Sequence, residues 1–221
     1  MAEAERSKER IVTAGADALF FNANAADDGE RARVTAALAE RCAPGRVALL
    51  FHSLAFGSLV PLVGEQEAKS AKPRQLAMTL DVMASSLVLW TQALVFAGLL
   101  ARGARVLAMT SAGSTRARAG YGPVSAAKAA LEAYVRQLAV ELAPRGVAVN
   151  AIRAGVTETA ALEKIPGAED LKRTATALNP HARLTEPGDV ARFVRLLLDP
   201  AADWVTGNVL GVDGGEDIAA P

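Results

Sequence analysis

The sequence predicts an α/β protein, a three-layer sandwich on a mostly parallel sheet of about five strands, in a single domain over 1–221. Two observations predict it. Short strand-like runs alternate with longer helical patterns, the order that gives crossover units. The runs are apolar throughout instead of alternating with polar residues, as strands covered on both faces are.

The strand candidates are Ala16–Ala23 (ADALFFNA), Arg46–Phe51, Ala104–Met109, Val147–Ile152 and Asn208–Val212. Helical patterns run over Glu3–Thr13, Gly29–Cys42, Arg74–Leu100, Pro123–Leu142 and Gly188–Leu198. Asp27 or Asp28 can cap the second helix. Residues 160–185 are polar and irregular with helical pieces, the look of a lobe that covers a substrate. Alternation of this kind implies right-handed crossovers.

Composition removes several classes of function. Lys plus Arg and Asp plus Glu each number 24, so the net charge is zero and no nucleic-acid partner is implied. The single cysteine, Cys42, forms neither an internal disulfide nor a metal set, and no His/Asp/Glu cluster has ligand spacing. The charged start MAEAERSKER lacks the apolar segment of a secretory signal, and Ser85–Leu100 is too short and mixed for a membrane span. A cytoplasmic protein is expected. Trp90 and Trp204 read as packing residues.

The chemistry concentrates in YGPVSAAK, residues 121–128. Pro123 suits the first turn of a helix, where its missing N–H costs nothing. Tyr121 then precedes the helix and Lys128 lies two turns inside it. On an ideal helix the two would share a face about 10 Å apart, so only a loop that folds back lets them cooperate. An ammonium near a phenol strengthens it as an acid and hydrogen-bond donor. The plain alternative is a packed loop tyrosine and a solvated helix lysine.

The run SAAKAALEAYVRQLAVELAPRGVAVNAIRAG and the ending TGNVLGVDGG (206–215) resemble the short-chain dehydrogenase/reductase family, whose fold is Rossmann-like. FHSLAF (51–56) and the Tyr121-x6-Lys128 spacing are similar to its enoyl-acyl-carrier-protein reductase branch. The usual family tyrosine would fall at Val124, which has no hydroxyl.

The resemblance implies an NAD- or NADP-dependent reduction of an enoyl thioester on carrier protein or CoA, in fatty acid biosynthesis. In it Tyr121 stabilises the enolate and Lys128 holds the nicotinamide ribose. It implies that Ser53, Leu54 and Ala55 pass beside the cofactor, Asn24 and Ala25 lie near its adenine, and Gly155 and Thr159 meet its nicotinamide and phosphate side. The 160–180 segment would cover the acyl chain. Ser111 matches the wider family's catalytic serine or else caps a strand end. His52 is expected to be structural, and His181 to contact the covering lobe. The wider family's helix asparagine falls at Met83. The long helices fit a dimer or tetramer interface.

The sequence departs from the family at its front. No glycine-rich turn precedes Ala16–Ala23, so the pattern begins at the family's third strand and the expected domain is front-truncated. Besides the enoyl reductase, two readings stay open: a carbonyl reductase, and a cofactor-free relative acting through protein contacts or beside a complete reductase subunit.

Overall fold

In a computed structural model, which describes residues 2–159, 162–164 and 167–219, four parallel strands stand in the order of the chain. They are β1 (Val47–His52), β2 (Leu100–Thr110), β3 (Ala148–Ala154) and β4 (Val209–Val212). Their helices are α1 (Ala2–Thr13), α2 (Asp28–Arg41), α3 (Pro73–Leu80), α4 (Ser86–Phe96), α5 (Gly122–Leu142), α6 (Ala168–Leu178) and α7 (Pro187–Leu197).

Four of the five expected strands form. Ala16–Ala23 does not: it carries no strand pairing, and Leu19 and Phe20 stay 42% and 49% exposed. β1 pairs only with β2 among the described residues, so its other edge is open and Ala16–Ala23 does not pair with it. Apolar content alone does not fix a strand.

The sheet's two faces are covered by different helices. Val106, Ala108, Val149 and Ala151 point to one face, where Leu87 of α4 and Leu131 and Val135 of α5 pack on them. Leu107 and Ile152 point to the other and meet Val190 and Leu197 of α7. The steps from β2 to β3 and from β3 to β4 run the same way across the sheet with helices on opposite faces. The two connections therefore have opposite hands, against the expectation of uniform right-handed crossovers. Polar anchors hold the exception. Arg105 Nε donates to Leu197 O at the end of α7 (2.7 Å), and Asn150 Nδ2 donates to Val205 O (2.7 Å). Arg105 also pairs with Asp203.

The expected Arg74–Leu100 helix is shorter and contains a π-turn, Asp81–Ser85, between α3 and α4. The helical run through 67–96 is long and apolar enough to cross a membrane by length and composition, unlike the shorter stretch expected. Here Met83, Ala84, Leu87, Thr91 and Leu94 are instead buried within the protein. Asp27 caps α2 through Glu30 N (2.9 Å), and Trp90 Nε1 donates to Ala25 O (2.8 Å), which ties the start of α2 to α4. Trp204, expected to pack, is 96% exposed. The turn that carries it is fixed by Asp203 and by the Val205 carbonyl, so its indole is left to solvent.

Candidate active site

The strands' C-terminal ends form one rim, and the candidate residues gather there. α5 starts at that rim because Pro123 occupies its first turn and Tyr121 stands at the cap position. Tyr121 O accepts from Ser125 N (2.8 Å), which anchors the entry to the helix. The tyrosine ring lies against Gly113. A Cβ there would be 2.5 Å from Tyr121 Cε1, so only glycine allows this approach.

Tyr121, Ser111, Arg116 and Glu216 share a cleft of about 360 Å³ with Gly155 and Val156. Its other wall is apolar, from Leu162, Leu171, Ala175 and Leu178. Ser111 Oγ is buried and has no hydrogen-bond partner among the described residues. An orphaned hydroxyl in a cleft wall is a group left for a ligand.

Lys128 does not line this cleft. It is 5% exposed, and its Nζ donates to Met109 O at 2.6 Å. Burial lowers its pKa to about 8, and the nearby Glu132 carboxylate partly offsets that. Glu132 itself accepts from Thr110 Oγ1 (2.6 Å). On the β1 side His52 is 4% exposed, with Nε2 2.7 Å from Ser86 Oγ. Burial and then the Lys128 charge lower the His52 pKa to about 4, so the ring is neutral at pH 7. That agrees with a structural role.

Val124 is 4% exposed and packs with Met83 and Ala127. The loop after β1 presses on the same group. A Cβ on Gly57 would be 2.7 Å from Thr79 Cγ2, 2.9 Å from Met83 Sδ and 3.1 Å from Val124 Cγ2. The position of the usual family tyrosine is thus part of the core and offers nothing to a substrate.

Other expected residues stand apart from the cleft. Ser53, Leu54 and Ala55 follow β1 and do not line it. Asn24 Oδ1 accepts from Ala26 N (3.1 Å), and the Ala25 carbonyl is taken by Trp90. Thr159 is exposed and accepts through Oγ1 from Leu162 N (3.3 Å). Of the 160–180 segment, 160–161 and 165–166 lie outside the described residues, and α6 supplies the apolar wall. His181 borders a separate depression beside Gly214 and Asp189.

Glu216 is the residue that sequence reasoning missed. Its carboxylate accepts from Val156 N (3.0 Å) and presses on Gly155, where a Cβ would be 2.7 Å from Oε2. Burial raises its pKa, and the Val156 N–H opposes that. Asp217 pins the same turn to Arg116 (3.0 Å) and Arg153 (2.9 Å). Its adjacency to the Asp213-Gly214-Gly215 ending was the only available signal.

A family profile described as Enoyl-(Acyl carrier protein) reductase matches residues 1–216. The chain belongs to the enoyl-(acyl carrier protein) reductase family. This family member is 37% identical over 125 residues to the 1-cyclohexenylcarbonyl-CoA reductase of Streptomyces collinus, covering 56% of this chain and 45% of that one. It is 33% identical over 174 residues to the Nostoc enoyl-[acyl-carrier-protein] reductase [NADH] FabI, covering 79% and 66%. It therefore spans about half to two thirds of these curated relatives' length. The solved enoyl-[acyl-carrier-protein] reductase (NADH) of Aquifex aeolicus superimposes with a TM-score of 0.86 at 26% identity, covering 99% of this chain and 83% of that one.

The donor set can be tested against a nicotinamide cofactor. Tyr121 and the orphaned Ser111 hydroxyl on the cleft suit a nicotinamide, and the Lys128 ammonium is bonded to the Met109 carbonyl close by in the chain. On the phosphate side, Asp27 takes Glu30 N at the start of α2 (2.9 Å), and the first-turn carboxylates Asp28, Glu30, Glu169 and Asp170 pair with Arg31, Arg33, Lys172 and Arg173. α3 and α7 open on proline, and α5 on Gly122 and Pro123.

Proposed function

We propose that this chain reduces the carbon–carbon double bond of an enoyl thioester carried on acyl carrier protein or CoA. The observation that carries the reading is the pairing of Tyr121 on the cleft with Val124 in the core. A reduced nicotinamide, when bound, supplies a hydride to the β-carbon. Tyr121 donates a hydrogen bond to the thioester oxygen as negative charge develops there and assists protonation of the enolate. Lys128 holds the ribose and keeps positive charge under the site. The apolar wall from α6 covers the acyl chain, and Ser111 orients the polar end of a ligand.

The relatives' names support the substrate class and NADH, one naming a CoA thioester and two an acyl-carrier-protein substrate with NADH. A place in fatty acid biosynthesis and a cytoplasmic setting accompany this reading. Exposed Phe96 and Val140 on α4 and α5 support a homo-oligomer through those helices. The test is NADH or NADPH oxidation with crotonyl-CoA and a crotonyl carrier protein. Turnover dependent on Tyr121 is expected, and no turnover at millimolar cofactor removes the reading.

One observation favours a second reading. Among the described residues β1 presents an unpaired edge with Phe51 40% exposed, a surface suited to association with a complete reductase subunit. In that case the chain alone is inactive, and activity appears only in the complex.

A further inference from the structure

We propose that the Glu216 side chain is a displaceable plug: it fills the polar corner of the Tyr121 cleft, and a ligand enters that corner only when the side chain swings out. The proposal rests on the enoyl reductase reading for its choice of ligand and adds to it a self-inhibiting contact.

Glu216 lines the same cleft as Tyr121, Ser111, Gly155 and Val156. Its carboxylate accepts from the Val156 N–H with both oxygens, Oε2 at 3.0 Å and Oε1 at 3.3 Å. β3 ends at Ala154, and Gly155 N still bonds Val212 O of β4 (3.3 Å). Val156 N is therefore the first backbone donor beyond the sheet, and it belongs to a residue of the cleft wall. A donor in such a place needs an acceptor, and the chain supplies its own where a ligand oxygen could bond. The side chain also takes up space. A Cβ on Gly155 would be 2.7 Å from Glu216 Oε2, so the carboxylate lies flat on that glycine.

The backbone of the plug is fixed while its side chain is lightly held. Glu216 N donates to Asp213 O (3.2 Å), and Asp217 N donates to Asp213 Oδ2 (3.3 Å). Asp217 pairs with Arg116 (3.0 Å) and Arg153 (2.9 Å), which commits both arginines to the neighbour of Glu216. Among the described residues the Val156 N–H is then the hydrogen bond that holds the Glu216 carboxylate. Burial disfavours the charge of that carboxylate, the Val156 N–H opposes this, and the Asp213 and Asp217 carboxylates disfavour it further. Rotation about the side-chain bonds frees the corner without disturbing the turn. It gives up one hydrogen bond, which a ligand carbonyl replaces. A plug that is mostly closed lowers apparent affinity by the fraction of molecules that are open.

The experiment compares the 221-residue chain with Glu216→Ala and Glu216→Gln. Ligand-observed NMR titrations with NADH give affinity, and amide hydrogen exchange at Val156 is followed without ligand. Glu216→Ala is expected to bind NADH about fivefold or more tightly, the scale of one released hydrogen bond, and to exchange faster at Val156. Glu216→Gln keeps the size and one acceptor oxygen, so it is expected to fall between; it carries the test if the alanine variant does not fold. Equal or weaker NADH binding in the folded variants, or unchanged exchange at Val156, overturns the plug and leaves the enoyl reductase reading standing. If neither the parent chain nor a variant binds NADH at millimolar concentration, proposal and reading fall together.

Discussion

The ammonium of Lys128 is bonded to the carbonyl of Met109 at 2.6 Å, two residues before the unpartnered hydroxyl of Ser111. The end of β2 thus fixes a buried cation and presents a free hydroxyl within one turn of chain. Four predictions follow from this region and the residues around it.

Burial lowers the Lys128 pKa to about 8, so its charge is lost just above neutral pH. Cofactor affinity is expected to hold below pH 8 and to fall severalfold by about pH 9, as the ammonium that favours the bound ribose is neutralised. Lys128→Met should bind more weakly throughout and lose the pH dependence. Titrations at three pH values check this, and a flat wild-type profile would remove Lys128 from the site.

Gly113→Ala places a methyl group 2.5 Å from Tyr121 Cε1. The ring must move, because Gly113 is backbone to one side of it. Turnover is expected to fall by about two orders of magnitude, the scale of a lost acid–base group, with the melting temperature much less affected. Kinetics with thermal melts test this. An unchanged kcat would show that Tyr121 need not hold this position.

Val124→Tyr puts a phenol where the wider family has its tyrosine. Val124 is 4% exposed between Met83 and Gly57, so the larger ring overpacks the core at a cost of about 1–3 kcal/mol. No ketone reduction is expected to appear. Gain of 3-oxoacyl reduction in a folded variant would revive the carbonyl-reductase reading.

His52 has a pKa near 4 in the folded chain against 6.5 for a free histidine. As pH falls below 6.5 the unfolded chain takes up the proton first, so stability declines progressively down to about pH 4. The full shift corresponds to about 3 kcal/mol. Urea melts at pH 7, 5.5 and 4.5 should show the decline, and it should be smaller in His52→Gln. Equal pH slopes in both proteins would contradict a buried neutral ring.

Much of this was legible in the sequence because it depends on local pattern. The run Arg46–Phe51 became Val47–His52, and Pro123 marked the start of α5 within one residue. Asp27 was one of two candidates for the cap it provides. Tyr121 and Ser111 line one cleft, and Lys128 bonds the Met109 carbonyl two residues before Ser111. What stayed hidden depends on contacts far apart in the chain. Ala16–Ala23 has strand composition but pairs with no strand among the described residues. The π-turn at Asp81–Ser85 leaves no mark on apolar spacing that a short window can separate from a straight helix. Glu216 meets Val156 from 60 residues away, and no motif announces such a contact.

The strand order of the sheet is also the order of synthesis. Each strand can dock on its predecessor as it leaves the ribosome, with no gap held open for a later arrival. The exception is the guanidinium of Arg105, which waits for Leu197 and Asp203, 92 and 98 residues later. That stitch draws the last helix over the far face of β2, so an unfinished chain keeps an uncovered apolar sheet until its final segment is made.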